Sequence, residues 1–487
     1  MIVLFLAVFA GCCIAWAYFK RGELETSPVR EKNIRSTALI DPLILPAYLL
    51  FFSAVLFLFF RDSQPIMNRL TGLFLELLLI INVYYILLLC LLPLLRRWFS
   101  PRACAVLWIL PNFLYLLVNL YNLDDTSPLL VLTLPRRLLT PLGLIWLAGF
   151  TLVLLWQILS HLRYRHLLLK NAVTVENREI LSCWEAEQRR RDVKHPIPVV
   201  VSPLTHTPLT IGLFNKTQRL VLPHTNYTPE ELELIFTHEA RHIQRCDTRT
   251  KAFLGFCTAM GWFNPFLWIS RRKVSDDLEL SCDELVMHEA DESKRRLYAN
   301  LLLNTADSSR GYTTCLSAAA STMRYRLKHI IKPQTRLTGT ILVGLVLFAL
   351  MLGGSTIALA DSPGTVQTLI FDQALDDGYI DHTYFRDGDF RRNADQYDEA
   401  ALTEYLSSLS IRPVYAGNFS EFHQHQRIFQ VVYAHEGSGG EIGYTTITLC
   451  DDVLYAFIPF DDLGQLTYAV DEEIDWDYLA SLMEFAP

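Results

Sequence analysis

The 487 residues are 51% hydrophobic, with a formal net charge of −8 and a mean hydropathy of +0.23. So apolar a composition excludes an ordinary soluble enzyme of this length and predicts an integral membrane protein with at least one water-exposed domain. The apolar residues concentrate before about residue 160 and again between Leu337 and Ala360.

Six stretches approach the roughly 20 residues that cross about 30 Å of hydrocarbon at about 1.5 Å per residue. They fall near 1–19, 41–60, 73–95, 104–121, 141–160 and 337–359. Pro111 and Asn112 interrupt the fourth, and Arg136 and Arg137 argue for a boundary just before the fifth. The first is read as a retained helix, because "MIVLF" has no basic leader and Phe9 fits poorly in a lipoprotein-type cleavage box before Cys12. Glu76, a carboxylate well inside a span, is expected to face the bundle interior or the metal-bearing domain, unless the span is tilted.

Basic and less basic connections alternate. Lys20, Arg21, Arg30, Lys32 and Arg35 follow the first span, Arg96, Arg97 and Arg102 the third, and a long basic run from Arg163 to Arg191 the fifth. The excess of Lys/Arg on cytoplasmic loops then puts the N-terminus outside, 161–336 inside and 361–487 outside. That last segment has about two dozen Asp/Glu, five Arg and no Lys. Its only cysteine is Cys450, so it has no disulfide framework of its own. Cys183, Cys246, Cys257, Cys282 and Cys315 fall on the reducing side, where free thiols are ordinary.

"PIPVVVSPLTHTPLTIGLFNKTQRLVLPH" contains three short strand-like runs broken by Pro203, Pro208 and Gly212. Such a sheet either offers an edge to an extended peptide or merely caps the domain. "NYTPEELELIFTHEARHIQRCD" follows and predicts a helix: Thr228 as N-cap, Pro229 at the first position, and Glu231 completing a capping box. On that helix His238 and His242 project from one face and could share a Zn²⁺. Glu239, about a third of a turn away, could act as general base on a water activated by the metal. "NPFLWISRRKVSDDLELSCDELVM" predicts a second helix, capped by Asn264, with Glu279 and Asp283 on one face. Glu279 is a natural third ligand, and Asp283 could hold the outer nitrogen of a ligating histidine. The competing readings are a solvated acidic helix face or a closed structural site of His238, His242, Cys246 and Cys282.

In this order, spans, "LVLP", "HEARHIQRCD", "WFNPF", "ELSCD", one more span and an outside domain, the chain resembles the BlaR/MecR antirepressor family of membrane zinc metallopeptidases. The resemblance covers residues 1–360 in architecture and mainly 197–290 in motif. It implies His238, His242 and Glu279 as zinc ligands, Glu239 as catalytic base, and Asp247 and Asp283 as supporting residues. It further implies an outside sensor whose signal activates a cytoplasmic peptidase that cleaves itself and promotes loss of a DNA-binding repressor. The tail departs from the pattern: with no lysine it has no Ser-x-x-Lys and cannot be acylated by a β-lactam in that way. There are also more spans before the peptidase than in the better-known members, though the odd count keeps the same sidedness.

In the tail, "DEAALTEYLSSLS" predicts a helix, and "RIFQVVYAHEG", "EIGYTTITLC" and "VLYAFIPFD" predict strands around a turn at "GSGG". His423 and His425 in "FHQHQ" share a strand face, either as polar edge residues or as a metal pair. "SKRRLYAN", around Arg295 and Arg296, either supplies inside-retaining charge or holds a self-cleavage site.

The expected architecture is a multi-pass α-helical membrane protein with a cytoplasmic α+β zincin-like metallopeptidase domain and a small extracytoplasmic α+β domain. Its parts are 1–160 with about five spans, 161–336 as peptidase, 337–360 as one span, and 361–487 as an acidic sensor-like domain. The expected function is a bacterial plasma-membrane zinc endopeptidase that converts an outside signal into cytoplasmic proteolysis. Its expected partners are the lipid bilayer, a cytoplasmic protein or peptide substrate such as a repressor, and an unidentified outside ligand, with no direct contact to nucleic acid. The alternatives are a constitutive quality-control or prenyl-protein-type zinc protease, or a non-catalytic sensor with a structural metal.

Overall fold

The computed structural model describes residues 2–26, 43–60, 64–111, 114, 130–191, 193, 195–288, 290–307, 320–332, 336–353, 357–372, 379–387, 390–393, 396–415, 427–436, 442–451, 453–458 and 464–484. His423, His425, Cys315 and the "GSGG" turn lie outside them.

The apolar runs fold as helices α1 (Ile2–Thr26), α2 (Ile44–Phe60), α3 (Gln64–Trp98), α4 (Pro101–Leu107) and α5 (Arg136–Lys170). Three are long and apolar enough to cross a membrane: Leu4–Glu23, Leu70–Trp98 and Arg136–Lys170. Ile44–Phe59 and the later helix α12 (Thr340–Gly353) are shorter apolar helices. Helix α1 packs against α12 where Gly11 meets Gly344; a Cβ on Gly11 would come within 2.9 Å of the Gly344 carbonyl oxygen. Small residues let two backbones approach in this way.

Of the expected fourth span, residues 112, 113 and 115–121 lie outside the described residues; among those described, α4 ends at Leu107. Helix α4 is nonetheless buried throughout all but one of its positions, packed within the bundle core. Arg136 and Arg137, expected to mark a boundary, form the first turn of α5, where Arg136 pairs with Asp361. At 35 residues α5 is about 52 Å long, well beyond the thickness of a bilayer core.

The surplus length of α5 reaches a four-stranded sheet. Its strands are β2 (Val173–Thr174), β3 (Val199–Val201), β4 (Leu209–Ile211) and β5 (Arg219–Leu222), in the order β2-β3-β5-β4 with β3 and β5 parallel. Period-two alternation gives the sheet two apolar faces. Val200, Ile211 and Val221 pack on Leu168 of α5. Val199, Leu220 and Leu222 pack with Trp184 of α6 (Arg178–Arg190) and with Leu234 and Phe236 of α7 (Pro229–Gln244).

Helices α8 (Asp247–Met260) and α9 (Pro265–Val286) form a hairpin that runs back along the bundle. Phe253, Phe256 and Met260 of α8 and Leu267 and Val274 of α9 join the core made by α3, α4 and α5. At the hairpin tip, Asn264 hydrogen-bonds Asn82 of α3, and the Trp262 indole donates to the Trp146 carbonyl of α5 at 3.2 Å. Gly149 on α5 makes room for that indole, since any Cβ there would lie 2.2 Å from it. The "WFNPF" turn is therefore a wedge between α3 and α5. Helices α10 (Glu292–Asp307) and α11 (Ala320–Ile331) complete this part of the chain.

After α12 the chain forms β6 (Ile357–Ala360), which pairs in parallel with β1 (Leu130–Thr133). Glu76 of α3 accepts a hydrogen bond from the Leu359 amide at 2.7 Å, so it faces this junction and not the histidine-bearing domain. The C-terminal region forms, among its described residues, an eight-stranded antiparallel sheet. Helices Glu399–Ser408 and Trp476–Ser481 cover one face through Leu402, Leu406 and Leu479. The helix and three strands expected in the tail are all present, and Cys450 is buried and free.

Candidate metal centre

Helix α7 begins as its sequence dictates. The Thr228 side chain accepts from the Glu231 amide at 3.2 Å, the Glu231 carboxylate accepts from the Thr228 amide at 2.9 Å, and Pro229 occupies the first turn. His238 and His242 then stack one turn apart with their Nε2 atoms 3.0 Å from each other. Helix α9, capped by the Asn264 side chain, brings Glu279 opposite them. Its Oε2 lies 3.5 Å from Nε2 of His238 and 3.4 Å from Nε2 of His242.

These three edges test the fit of a metal. Zinc bonds of about 2.0–2.1 Å in a tetrahedron place ligand atoms about 3.3–3.4 Å apart. The triangle of 3.0, 3.4 and 3.5 Å is that of three tetrahedral ligands within a few tenths of an ångström, so the residues fit the ion. The Cys282 sulfur forms a second group with the two histidines, within 4.8 Å of ring nitrogens of both, and Glu279 is not in that group. Cys246 is not part of that group.

The outer nitrogens are held differently. His242 Nδ1 meets Asp247 Oδ2 at 2.7 Å. A continuous helix would carry position 247 away from this face, but Cys246 adopts φ 56, ψ 39, and the left-handed residue redirects the chain so that Asp247 returns to the ring. Asp283 does not hydrogen-bond a histidine directly, as its Oδ1 is 3.6 Å from Nδ1 of His238. The Tyr298 hydroxyl stands between, 2.8 Å from each. With Nε2 free for a metal, Nδ1–H of His238 donates to the tyrosine oxygen and the tyrosine donates to Asp283. Arg326 holds Asp283 in place with two bonds of 2.7 and 2.8 Å.

Glu239 is 7% exposed and has no place in the ligand triangle. Its Oε2 accepts from Thr210 Oγ1 on β4 at 2.7 Å, which aims the carboxylate along the edge of the sheet. Lys251 of α8 donates to the other oxygen of Glu279 at 3.1 Å. Burial opposes charge on both His238 and Glu279, yet mutual attraction prevails. Facing Cys282 and Glu279 raise His238 to about 10, and Lys251 with the histidines holds Glu279 well below the usual carboxylate range.

Sequence reasoning named His238, Glu239, His242, Asp247, Glu279 and Asp283, and all six converge here. It missed Thr210, Lys251, Tyr298 and Arg326. Tyr298 lies within "SKRRLYAN", but its spacing from the histidines gives no signal. Arg295 in that stretch is spent on three backbone carbonyls, of Met287, Ala290 and Ile330, within and beside a formed helix.

An HExxH helix, a facing glutamate and a bundle of apolar helices together are consistent with a membrane-associated metallopeptidase. Residues 131–330 match the family model described as BlaR1 peptidase M56. It is similar to the regulatory protein BlaR1 of Bacillus licheniformis, with 26% identity over 188 residues. That match covers 38% of this chain and 30% of the relative's length.

Proposed function

We propose that the protein is a zinc endopeptidase that turns an extracytoplasmic signal into proteolysis in the cytoplasm. The observation that carries this reading is the His238–His242–Glu279 triangle with Glu239 beside it and outside it.

Bound there, zinc would supply Lewis acidity towards a peptide carbonyl and make a water molecule acidic near neutral pH. Glu239 is placed to accept a proton at a carboxylate oxygen and to deliver one to a leaving amine. Thr210 fixes the carboxylate for this exchange. Strand β4 is the edge of its sheet, so its open side offers backbone groups on which an extended substrate can add as a further strand. Asp247 and the Tyr298–Asp283 pair orient the two imidazoles.

The sidedness proposed is an outside N-terminus and C-terminal domain and a cytoplasmic metal site. Two observations support it. Helix α5 starts beside Asp361 and ends against the sheet, which separates the C-terminal domain from the metal site by its whole length. The connections at the metal-site end are the basic ones. Candidate substrates are the chain itself and a DNA-binding repressor, by analogy with a relative named as a regulatory protein. The acidic C-terminal domain is proposed as sensor.

The test is a comparison of cellular protein N-termini in cells expressing the wild type or Glu239→Gln. The substitution keeps the ligands and removes the base. N-termini that depend on Glu239 establish proteolysis and name the substrate. Identical profiles with zinc bound would favour a non-catalytic sensor.

A further inference from the structure

Helix α9 presents two metal-binding side chains to the histidines. Cys282 follows Glu279 by three residues, nearly one helical turn, and so lies on the same face. It is 0% exposed, and its sulfur is 3.5 Å from the His238 carbonyl and within 4.8 Å of ring nitrogens of both histidines. A tetrahedral ion with Zn–S of about 2.3 Å and Zn–N of about 2.0–2.1 Å needs nitrogen–sulfur edges of about 3.6 Å. A separation of up to 4.8 Å exceeds that edge by about 1.2 Å, and Glu279 is not grouped with the sulfur, so the sulfur must close in on the triangle to ligate.

We propose that in the resting protein Cys282 is the fourth zinc ligand, closing the position that water must occupy for catalysis. The inference rests on the reading of His238, His242 and Glu279 as zinc ligands. A zinc with four protein ligands is a structural site, and one with three keeps an open position. The same four residues therefore describe a latent and an active peptidase, according to whether the sulfur is in or out. Coordination uses the sulfur as thiolate, the proton held within the histidine–cysteine cluster leaves to water, and withdrawal from the metal takes one up. Sulfur and water exchange as ligands, with no oxidant or reductant.

The fold also supplies a lever. Asp277, five residues before Cys282 on α9, is held by Arg96 of α3 at 2.8 Å and by the Trp108 indole just beyond α4 at 3.0 Å. Five residues of helix transmit a shift over about 7.5 Å as a rigid body. Movements of about 1–2 Å at packed helices are ordinary in switching proteins, and that is enough to withdraw a sulfur from a metal. Glu279 has a separate hold through Lys251 on α8.

The test uses the full-length protein in detergent, with zinc and, separately, with cobalt in its place. Zinc X-ray absorption should show one sulfur per metal at about 2.3 Å. The cobalt form should show a near-ultraviolet thiolate-to-cobalt band. Both should be lost in Cys282→Ala and Cys282→Ser and kept in Cys246→Ser. A wild type without sulfur at the metal overturns the proposal, as does sulfur that persists in the Cys282 variants. A protein that binds neither metal overturns the zinc reading itself and the latency with it. In unstimulated cells the Cys282 variants should raise Glu239-dependent N-termini about tenfold, as for a site closed in about nine of ten molecules. Unchanged levels overturn the latent role.

Discussion

Asp277 on α9 meets Arg96 on α3 with Oδ1 2.8 Å from Nε, and the carboxylate is fully buried. Its other oxygen accepts from the Trp108 indole. The helix that carries Glu279 is thereby tied to the apolar bundle by a charge pair and a charged hydrogen bond.

Removing the carboxylate should be costly, because it takes the charged acceptor from the Arg96 guanidinium, which keeps the Lys273 carbonyl at 3.2 Å, and the acceptor of the Trp108 indole. Asp277→Ala is expected to lower the unfolding free energy by about 3–5 kcal/mol. Trp108→Phe, which removes one hydrogen bond to a charged group, should cost about 1.5–3 kcal/mol. Thermal unfolding of the purified protein in detergent reads both, and an unshifted midpoint for Asp277→Ala would show that the pair is not made.

Tyr298 connects His238 to Asp283 through one hydroxyl. Tyr298→Phe keeps the ring and removes that link, so zinc affinity should fall about 10–100-fold, the usual effect of losing a group that orients a ligand. Asp247→Asn should act similarly through His242. Competition with a chelating dye measures both. Full affinity in Tyr298→Phe would mean that packing alone sets the His238 ring.

Zinc affinity should rise with pH across the neutral range. His238 is raised to about 10 in the metal-free cluster, so a proton sits where the metal must bind. Each displaced proton makes the affinity about tenfold tighter per pH unit. Glu279, held well below the carboxylate range, releases none in this window. Titrations at three pH values give the slope, and a flat profile would contradict the protonated histidine. The metal-free protein should show the linked effect on stability. The contribution of charged His238 is full below the ordinary histidine value of 6.5 and is lost as pH rises through about 10.

At the other end of the bundle, Glu76→Leu removes the acceptor of the Leu359 amide and strands a buried donor, at a cost of about 1–3 kcal/mol. Glu76→Gln keeps a carbonyl oxygen in place and should cost less. Equal losses for the two variants, read by thermal unfolding, would point to a role for the carboxyl group other than accepting this bond.

The sequence by itself determined what depends on neighbours within a turn or two. The Thr228–Glu231 cap, the Asn264 cap, the three short strands and the stacked pair His238 and His242 are local, and each stands where its residues predict. Only the tertiary structure decided what completes the site. Tyr298 reaches His238 across 60 residues, Arg326 reaches Asp283 across 43, and Thr210 reaches Glu239 across 29. No periodicity encodes such meetings, because they follow from how α7, α9, α10 and α11 pack. The same holds for the left-handed Cys246, which turns Asp247 back to His242, and for the α8–α9 hairpin, whose apolar faces could equally have filled a soluble core. Local hydrogen bonds fix where a helix begins; which side chains face each other across helices is set by burial of their apolar faces together, a property of the folded whole.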